Sequence, residues 1–120
     1  MYTMMQVCRE LDMTYQTLKF YCNEGLVPNV KRDHNNRRVF DEKDVKWIKD
    51  LTCLKKCGMS IQEMKKYLEL CLQGEATIVS RKKMLARKQE ELRASIKELE
   101  DSISYIGWKQ NFYDEVLSGK

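Results

Sequence analysis

Apolar residues spaced seven apart in the second half of the chain constrain its fold more than any other feature. The repeat consists of Ile78, Leu85, Leu92, Leu99 and Ile106, with Ile96 and Ile103 at the interleaved positions. A strict seven-residue repeat is typical of a coiled coil, in which two helices bury one shared apolar seam. A helix over residues 77–106 would be ~45 Å long, more than one small domain can cover. We therefore expect a second copy of the chain to cover this seam.

Polar residues interrupt the seam at its start. Lys82 and Gln89 occupy two interleaved positions, where polar side chains weaken a coiled coil but often fix its register. The alternative interpretation is a long helix that folds back onto its own domain. Beyond Gly107, helical spacing of large apolar residues predicts a separate short helix and tail over residues 108–120, docked against the partner or the end of the long helix. The apolar residues of this segment are Trp108, Phe112, Tyr113, Val116 and Leu117.

Size and charge exclude several classes of protein. The 120 residues suit one small core plus an extended element, so an enzyme with a separate cofactor domain is not expected. Charged residues make up 33% of the chain, above the ~25% typical of globular proteins, which indicates solvated helices. No segment approaches the ~18–20 apolar residues of a membrane span, and the N-terminus lacks the apolar run of a signal peptide. We expect a cytoplasmic protein without membrane association, whose cysteines are free thiols.

Helix-capping signals divide the first 75 residues into four helices. The predicted caps are Thr3, Thr14, Asp41 and Ser60, and the predicted ends lie near Leu11, Asn23, Cys57 and Gly74. Thr3 and Ser60 are each followed three residues later by Gln or Glu, which is the capping-box pattern. Because so few residues separate the first two helices, they are expected to form a helix-turn-helix.

A basic β-hairpin is predicted between the second and third helices. Residues 30–32 and 37–40 have the pattern of two short strands around a polar turn. Residues 14–40 contain five basic and two acidic residues, so the positive excess of the chain is concentrated in this region. A helix-turn-helix followed by such a hairpin can place one helix in a major groove while the hairpin grips the adjacent backbone.

Five side chains in this region are candidates for DNA contact. Tyr15, Gln16 and Lys19 lie near the N-terminal end of the second helix, the end that meets base edges, and Arg37 and Arg38 lie in the hairpin. Gln can pair with adenine and Lys with guanine, and both can bind phosphate. The alternative is an ordinary solvated helix face. Because the sequence shows no nucleophile–base set, phosphate-binding glycine loop or paired carboxylates, we do not expect an enzyme.

Two segments carry a resemblance to a known family. The signature T-x-x-T-L-R-Y-Y-E-x-x-G-L-[LI]-x-P of MerR transcription regulators resembles residues 14–28, which read TYQTLKFYCNEGLVP. Their wing pattern N-G-Y-R-x-Y-x-E-E-D is similar to residues 35–44, which read NNRRVFDEKD. The resemblance spans about residues 3–75, and the long helix follows as it does in the family.

The resemblance implies an all-α fold with a small β-hairpin wing. A winged helix-turn-helix DNA-binding domain would occupy residues 1–75, and a dimerisation helix over residues 76–107 would form an antiparallel coiled coil. It also implies a homodimer that binds a pseudopalindromic site in double-stranded promoter DNA and distorts it, acting on RNA polymerase indirectly. By position, Tyr15, Gln16 and Lys19 would contact groove or phosphate, Tyr21 the backbone, and Arg38 a phosphate. No cofactor is implied.

Five positions depart from the family pattern. Lys19 replaces the usual Arg, Phe20 the first Tyr, Cys22 the Glu, Arg37 an aromatic residue and Phe40 the last Tyr. Phe20 and Phe40 have no hydroxyl to donate to a phosphate. The additional charge of Arg37 is expected to compensate.

The cysteines bear on what the protein senses. Metal-sensing relatives resemble one another in a Cys-rich loop after the long helix, whereas this sequence has no Cys or His beyond Cys71. Cys53 and Cys57 could offer two thiolates to a metal, but no third ligand is evident, and no metal site is expected. We also do not expect the large C-terminal ligand domain of multidrug-responsive members within 120 residues.

What remains is a similarity to the small NmlR/AdhR-like subgroup, which responds to aldehydes, nitrosothiols or other electrophiles through a thiol in the third helix. Cys53 stands at the position of that thiol, and Lys49 and Lys56 are placed one helical turn away on either side, where positive charge favours a thiolate. The alternative is a buried core cysteine. Two other functions stay open: a metal-responsive regulator, and an architectural, excisionase-like protein that bends DNA without an effector.

Overall fold

The helices and strands follow the order that the sequence predicts, with one additional strand. The structure is a computed structural model that describes residues 1–119. Its elements are β1 (Tyr2–Thr3), α1 (Met4–Leu11), α2 (Tyr15–Asn23), β2 (Lys31–Arg32), β3 (Arg38–Phe40), α3 (Glu42–Lys56), α4 (Ile61–Leu72), a 3₁₀ turn (Glu75–Thr77) and α5 (Ile78–Leu117). Residues 1–81 form one compact unit, and the second unit begins at residue 82. The mostly helical fold with a small antiparallel sheet is confirmed.

Both predicted capping boxes are present. The Thr3 hydroxyl accepts a hydrogen bond from the Gln6 backbone N–H at 3.2 Å, and the Gln6 side chain accepts one from the Thr3 N–H at 2.8 Å. Ser60 and Glu63 make the same reciprocal pair at the start of α4, with distances of 3.1 and 3.0 Å. Each pair satisfies backbone N–H groups that a helix start otherwise leaves without partners.

A third capping box ties the hairpin to α3. Asp41 accepts a hydrogen bond from the Asp44 backbone N–H at 2.9 Å, and Asp44 accepts one from the Asp41 N–H at 3.0 Å. The Lys31 ammonium group donates to Asp41 at 2.9 Å and to Asp44 at 3.3 Å, so a residue of β2 is bound to the start of α3. The hydrogen bonds from Lys31 and from the Asp44 backbone lower the pKa of Asp41 to about 2. The carboxylate therefore stays ionised, and the cap stays formed, at all physiological pH values.

The core of the first unit joins all four of its helices to the sheet. Its buried residues are Met4, Val7, Cys8, Leu18, Tyr21, Leu26, Val27, Phe40, Val45, Ile48, Leu51, Met59 and Met64. Trp47 packs against this core and donates a hydrogen bond from its indole Nε1 to the Leu26 carbonyl oxygen at 2.7 Å. This contact joins α3 to the loop that follows α2.

The wing is a three-stranded antiparallel sheet in the order β1-β3-β2. The predicted hairpin is confirmed, with Lys31 opposite Val39 and Arg32 opposite Arg38. Strand β1 was not predicted; it pairs Tyr2 with Phe40 on the other edge of β3. The N-terminus thereby covers an edge that would otherwise present unpaired backbone groups.

Helix α3 ends in a Schellman motif. The Gly58 N–H bonds the Lys55 carbonyl at 3.0 Å, and the Met59 N–H bonds the Leu54 carbonyl at 3.2 Å. Gly58 has a φ of +87°, a backbone conformation that residues with a Cβ atom rarely adopt. Met59 is 1% exposed, so the residue after the turn is anchored in the core. The last turn of α3 is consequently well held.

Arg81, in the first turn of α5, is bound to the turn that precedes this helix. Its guanidinium Nη2 donates to the Gly74 carbonyl at 2.7 Å, and its Nε donates to the Thr77 hydroxyl at 3.0 Å. Thr77 is itself buried and donates to the Gly74 carbonyl at 2.9 Å. These bonds add to the hydrogen bond that the Gly74 carbonyl accepts from the Thr77 backbone N–H at 3.1 Å, and together they hold the 3₁₀ turn in place.

Helix α5 buries none of its residues within the chain. All seven predicted seam residues are exposed, so α5 carries the apolar stripe that the sequence predicts. They are Ile78, Leu85, Leu92, Ile96, Leu99, Ile103 and Ile106. Within residues 1–119, no helix is both long and apolar enough to cross a membrane.

The separate terminal helix expected over residues 108–120 is not formed, because α5 continues through Gly107 to Leu117. Glycine inside a helix costs only about 1 kcal/mol relative to alanine, and the aromatic residues that follow offset this cost. Trp108 and Phe112 stack one turn apart with their ring centroids separated by 6.1 Å. Lys120, the last residue of the predicted tail, lies outside the described residues.

Candidate nucleic-acid interface

Helix α2 presents one polar face to solvent and one apolar face to the core. The Thr14 hydroxyl caps it by accepting a hydrogen bond from the Thr17 N–H at 3.1 Å. Leu18, on the inner face, is fully buried. Tyr15, Gln16 and Lys19 are exposed on the outer face near its N-terminal end, which is the location predicted for them. The helix thus offers two hydrogen-bonding side chains and one cation at the end that can enter a groove.

The tip of the wing is a rigid turn that carries arginines. The Asp33 carboxylate accepts hydrogen bonds from the backbone N–H groups of Asn35 at 2.9 Å and Arg37 at 3.0 Å. These two bonds, that from Arg37 above all, lower the pKa of Asp33. Arg32 adds a bond from its guanidinium to the Asn36 carbonyl at 2.9 Å. The turn is therefore held in shape before any ligand arrives, which reduces the entropy lost on binding.

A groove of about 490 Å³ runs between the wing and the first two helices. The arginines on its rim are Arg32, Arg37 and Arg38, Tyr15 of α2 stands opposite, and Met4 and Met5 supply apolar lining. Three predicted contact residues, Tyr15, Arg37 and Arg38, are thus brought together. Gln16 lines a separate, shallower surface with Phe20 and Lys55, and Lys19 lines neither.

Arg38 is oriented by a residue of α2. Its guanidinium Nη2 donates to the Asn23 side-chain oxygen at 2.6 Å. This bond joins the last residue of α2 to strand β3, so the wing and the helix are positioned relative to each other by their own polar groups. Because an arginine has five donors, Arg38 keeps several for a phosphate.

The aromatic residues of the motif differ in exposure. Tyr21 is only 3% exposed, and burial raises the pKa of its hydroxyl group. Its ring packs in the core, and the residue also lines the surface that includes Gln16 and Phe20. Phe40 is fully buried, whereas Phe20 is 45% exposed. A tyrosine in place of Phe40 would therefore have its ring in the core. Loss of a hydroxyl thus matters for the outer surface only at Phe20.

The sequence analysis missed Arg32 and Asn23 as members of this site. Arg32 carries a signal in the sequence, since it is a basic residue of the predicted hairpin, and in the structure it lies directly opposite Arg38. Neighbouring positions on paired strands share a face of the sheet, which makes both arginines available to one ligand. Asn23 carries no such signal, because its contact with Arg38 joins residues 15 positions apart.

The five cysteines are free thiols, of which Cys8 is buried, Cys22 and Cys71 are half-buried, and Cys53 and Cys57 are exposed. Cys53 lies in α3 and Cys57 is the residue that caps its end, so Cys53 is not the buried core residue of the alternative interpretation. Burial raises the pKa of Cys8 and of Cys22, which keeps both protonated. Among residues 1–119, no group of three or more Cys, His, Asp or Glu side chains is placed to hold a metal ion.

Comparison with known proteins identifies the same architecture elsewhere. Residues 2–71 match the model of the MerR HTH family regulatory proteins, and residues 45–106 match a second model described as MerR, DNA binding. An uncharacterized HTH-type transcriptional regulator of Haemophilus influenzae is 33% identical over 114 residues, covering 95% of this chain and 84% of the relative. The regulator AdhR of Bacillus subtilis is 37% identical over 87 residues, covering 72% of this chain and 62% of AdhR.

A solved structure contains a similar chain bound to DNA. HiNmlR, described as a MerR family regulator lacking the sensor domain, was crystallised bound to promoter DNA. It is 33% identical to this chain, with a TM-score of 0.77 over 95% of this chain and 90% of HiNmlR. With the family models matched across the helix-turn-helix, the wing and most of α5, the chain belongs to the MerR family of helix-turn-helix transcriptional regulators.

Proposed function

We propose that this regulator binds a pseudopalindromic site in promoter DNA as a homodimer and controls transcription by distorting the duplex. The observation that carries the proposal is the groove in which Tyr15, Arg37 and Arg38 converge with Arg32. Guanidinium groups are well suited to phosphate because their planar donors can bind two oxygens at once. The groove would hold the DNA backbone while Gln16 and Lys19 reach the bases.

The homodimer is supported by the exposed apolar seam of α5. Isolated exposed leucines are normal on protein surfaces, but a continuous stripe with a seven-residue period marks a helix that needs a partner. Two recognition helices on one dimer would read two half-sites related by two-fold symmetry. Their fixed separation would require the duplex to bend or undertwist, which would affect RNA polymerase indirectly through the shape of the promoter. We place this activity in the cytoplasm and propose binding, not catalysis, as its basis.

Substitution of Arg38 tests the proposed phosphate contact. Arg38→Ala is expected to weaken binding to a selected operator and to a scrambled duplex by similar factors, because a phosphate contact carries no sequence information. The slope of log affinity against log salt should become shallower by about one unit. Fluorescence anisotropy over a salt series, with an operator selected from random duplexes by the purified protein, measures both quantities.

Lys66→Ala is the matched control for Arg38→Ala. Lys66 is an exposed cation of α4 that does not line the groove, and its removal should leave the salt slope unchanged. Loss of affinity for the selected operator alone in Arg38→Ala would contradict the phosphate role. An equal change of slope in both variants would show that net charge, rather than the groove, governs binding.

We further propose that modification of Cys53 by an electrophile gates the regulator. The Cys53 side chain is exposed, which a modifying reagent requires. Lys49 and Lys56 are exposed and lie one helical turn before and after Cys53, where their positive charge favours a thiolate. A nitrosothiol would transfer its nitroso group to Cys53 and leave as a free thiol, and an aldehyde would add directly to the sulfur.

Cys53→Ser tests this gate. Transcription in vitro from a promoter that carries the selected operator between its −35 and −10 elements should change on addition of formaldehyde or S-nitrosoglutathione, and Cys53→Ser should abolish the change. Cys57→Ser, at the other exposed cysteine, should respond as the parent does. A full response by Cys53→Ser would refute the gate. An absent response in the parent, with intact operator binding, would favour an architectural protein that bends DNA without an effector.

A further inference from the structure

Cys53 and Cys57 form a pair of exposed thiols one helical turn apart at the end of α3. The Cys57 backbone N–H donates to the Cys53 carbonyl at 3.1 Å, which is the hydrogen bond of a regular α-helical turn. Residues four apart on a helix project from the same face. Both sulfurs therefore lie on one side of α3 before any ligand binds.

The spacing of the pair disfavours a direct sulfur–sulfur bond. Side chains four apart on a helix have Cβ atoms about 5–6 Å apart. A disulfide requires about 3.5–4.5 Å between its Cβ atoms. The Schellman motif at Gly58 and the buried Met59 resist the unwinding that would close this gap. One atom that bonds both sulfurs would span the distance without disturbing the helix.

The donor set restricts what that atom can be. Within the described residues, no third Cys, His, Asp or Glu joins the two thiols, so the site does not suit zinc, which takes four protein ligands in structural sites. It suits a soft centre that needs only two protein sulfurs. Trivalent arsenic that carries one organic group is such a centre, since one carbon and two sulfurs complete its three bonds.

We propose that the Cys53–Cys57 pair is a capture site for trivalent organoarsenicals. With phenylarsine oxide, two S–H bonds and the bonds from arsenic to oxygen break, two As–S bonds form, and the oxygen leaves with both thiol protons as one water. Arsenic remains trivalent throughout, so the step needs no oxidant or reductant. The site shares Cys53 with the proposed gate. Capture is measured as a change in the mass of the protein, whereas the gate is measured as a change in transcription, so either proposal can fail without the other.

The test is capture of phenylarsine oxide by the reduced protein, measured by intact mass spectrometry. The parent should gain one phenylarsenic unit per chain, retain it in excess glutathione and lose it to 2,3-dimercaptopropanol. Cys53→Ser and Cys57→Ser should each hold the arsenical about 10²-fold more weakly, because one sulfur forfeits the effective concentration of the second. Cys71→Ser should behave as the parent does.

Relocating the second thiol separates geometry from thiol number. Lys55→Cys combined with Cys57→Ser places the second sulfur two residues from Cys53, on a different face of the helix, and capture should fall as in the single variants. Lys56→Cys combined with Cys57→Ser places it three residues away, and capture should persist. Equal retention by the Lys55→Cys relocation would overturn the proposal. So would an arsenic bridge between two chains, or ready formation of a Cys53–Cys57 disulfide in air by the folded protein.

Discussion

Leu92→Asp combined with Leu99→Asp is expected to convert the dimer to monomers and to abolish operator binding. Both leucines belong to the seam of α5, and both are exposed in the single chain. An antiparallel pair would bury four new carboxylates without partners, each at a cost of several kcal/mol. The dissociation constant of the dimer should rise by at least about 10³-fold, since each 1.4 kcal/mol changes it tenfold. Size-exclusion chromatography with light scattering measures the change.

The control places the same charge on the opposite side of the helix. Ala94 is exposed and stands between Leu92 and Ile96 in the sequence, which places it on the side of the helix that faces away from the seam. Ala94→Asp should therefore remain dimeric and bind the operator. Circular dichroism of both variants checks that α5 stays helical. A Leu92→Asp, Leu99→Asp protein that still elutes as a dimer would show that another surface joins the two copies.

Phe40→Ala should remove about 3–5 kcal/mol from the free energy of unfolding of the first unit. Phe40 is fully buried, and its strand pairs with both β1 and β2, so the cavity would lie where the wing meets the helices. This cost is a large part of the ~5–15 kcal/mol that holds a typical domain together. Urea denaturation followed by Trp47 fluorescence, in a Trp108→Phe background, measures it.

Phe20→Ala is the matched control for this substitution. Phe20 is 45% exposed on α2, so removal of its ring leaves no enclosed cavity, and the loss should stay below about 1 kcal/mol. Comparable losses in the two variants would mean that Phe40 does not lie in a packed core. Unchanged stability with weakened DNA binding in Phe20→Ala would instead assign the exposed ring to the interface.

Local signals account for most of what the sequence predicts correctly. Thr3 and Ser60 mark helix starts because a capping box involves only residues three apart, and both boxes are present in the structure. Strand β1 escapes such reasoning because two residues have no measurable periodicity. Its pairing with Phe40 joins positions 38 residues apart and depends on the whole domain. Gly107 predicts a helix end that the structure lacks, because the free-energy cost of one glycine is small within a 40-residue helix.

In the candidate site too, features with a local sequence signal are predicted and contacts between distant residues are not. The position of Tyr15 on the second helix and of Arg37 and Arg38 in the basic hairpin predicts DNA contact, and these three residues converge on one groove. Tyr21 is predicted from the family motif, and its ring packs toward the core, where it is 3% exposed. The orientation of Arg38 by Asn23 is set by how the wing packs on α2, and no pattern along the chain encodes it.

Because α5 has no buried residue in the single chain, the active fraction of the protein is expected to depend on its concentration. In the proposed homodimer, the leucines and isoleucines of each copy would be covered only after it binds another copy, so the fraction of dimer would follow mass action. When the protein is scarce, unpaired copies stay open to proteases and chaperones. A cell that produces little of this regulator would therefore hold disproportionately little of it in active form.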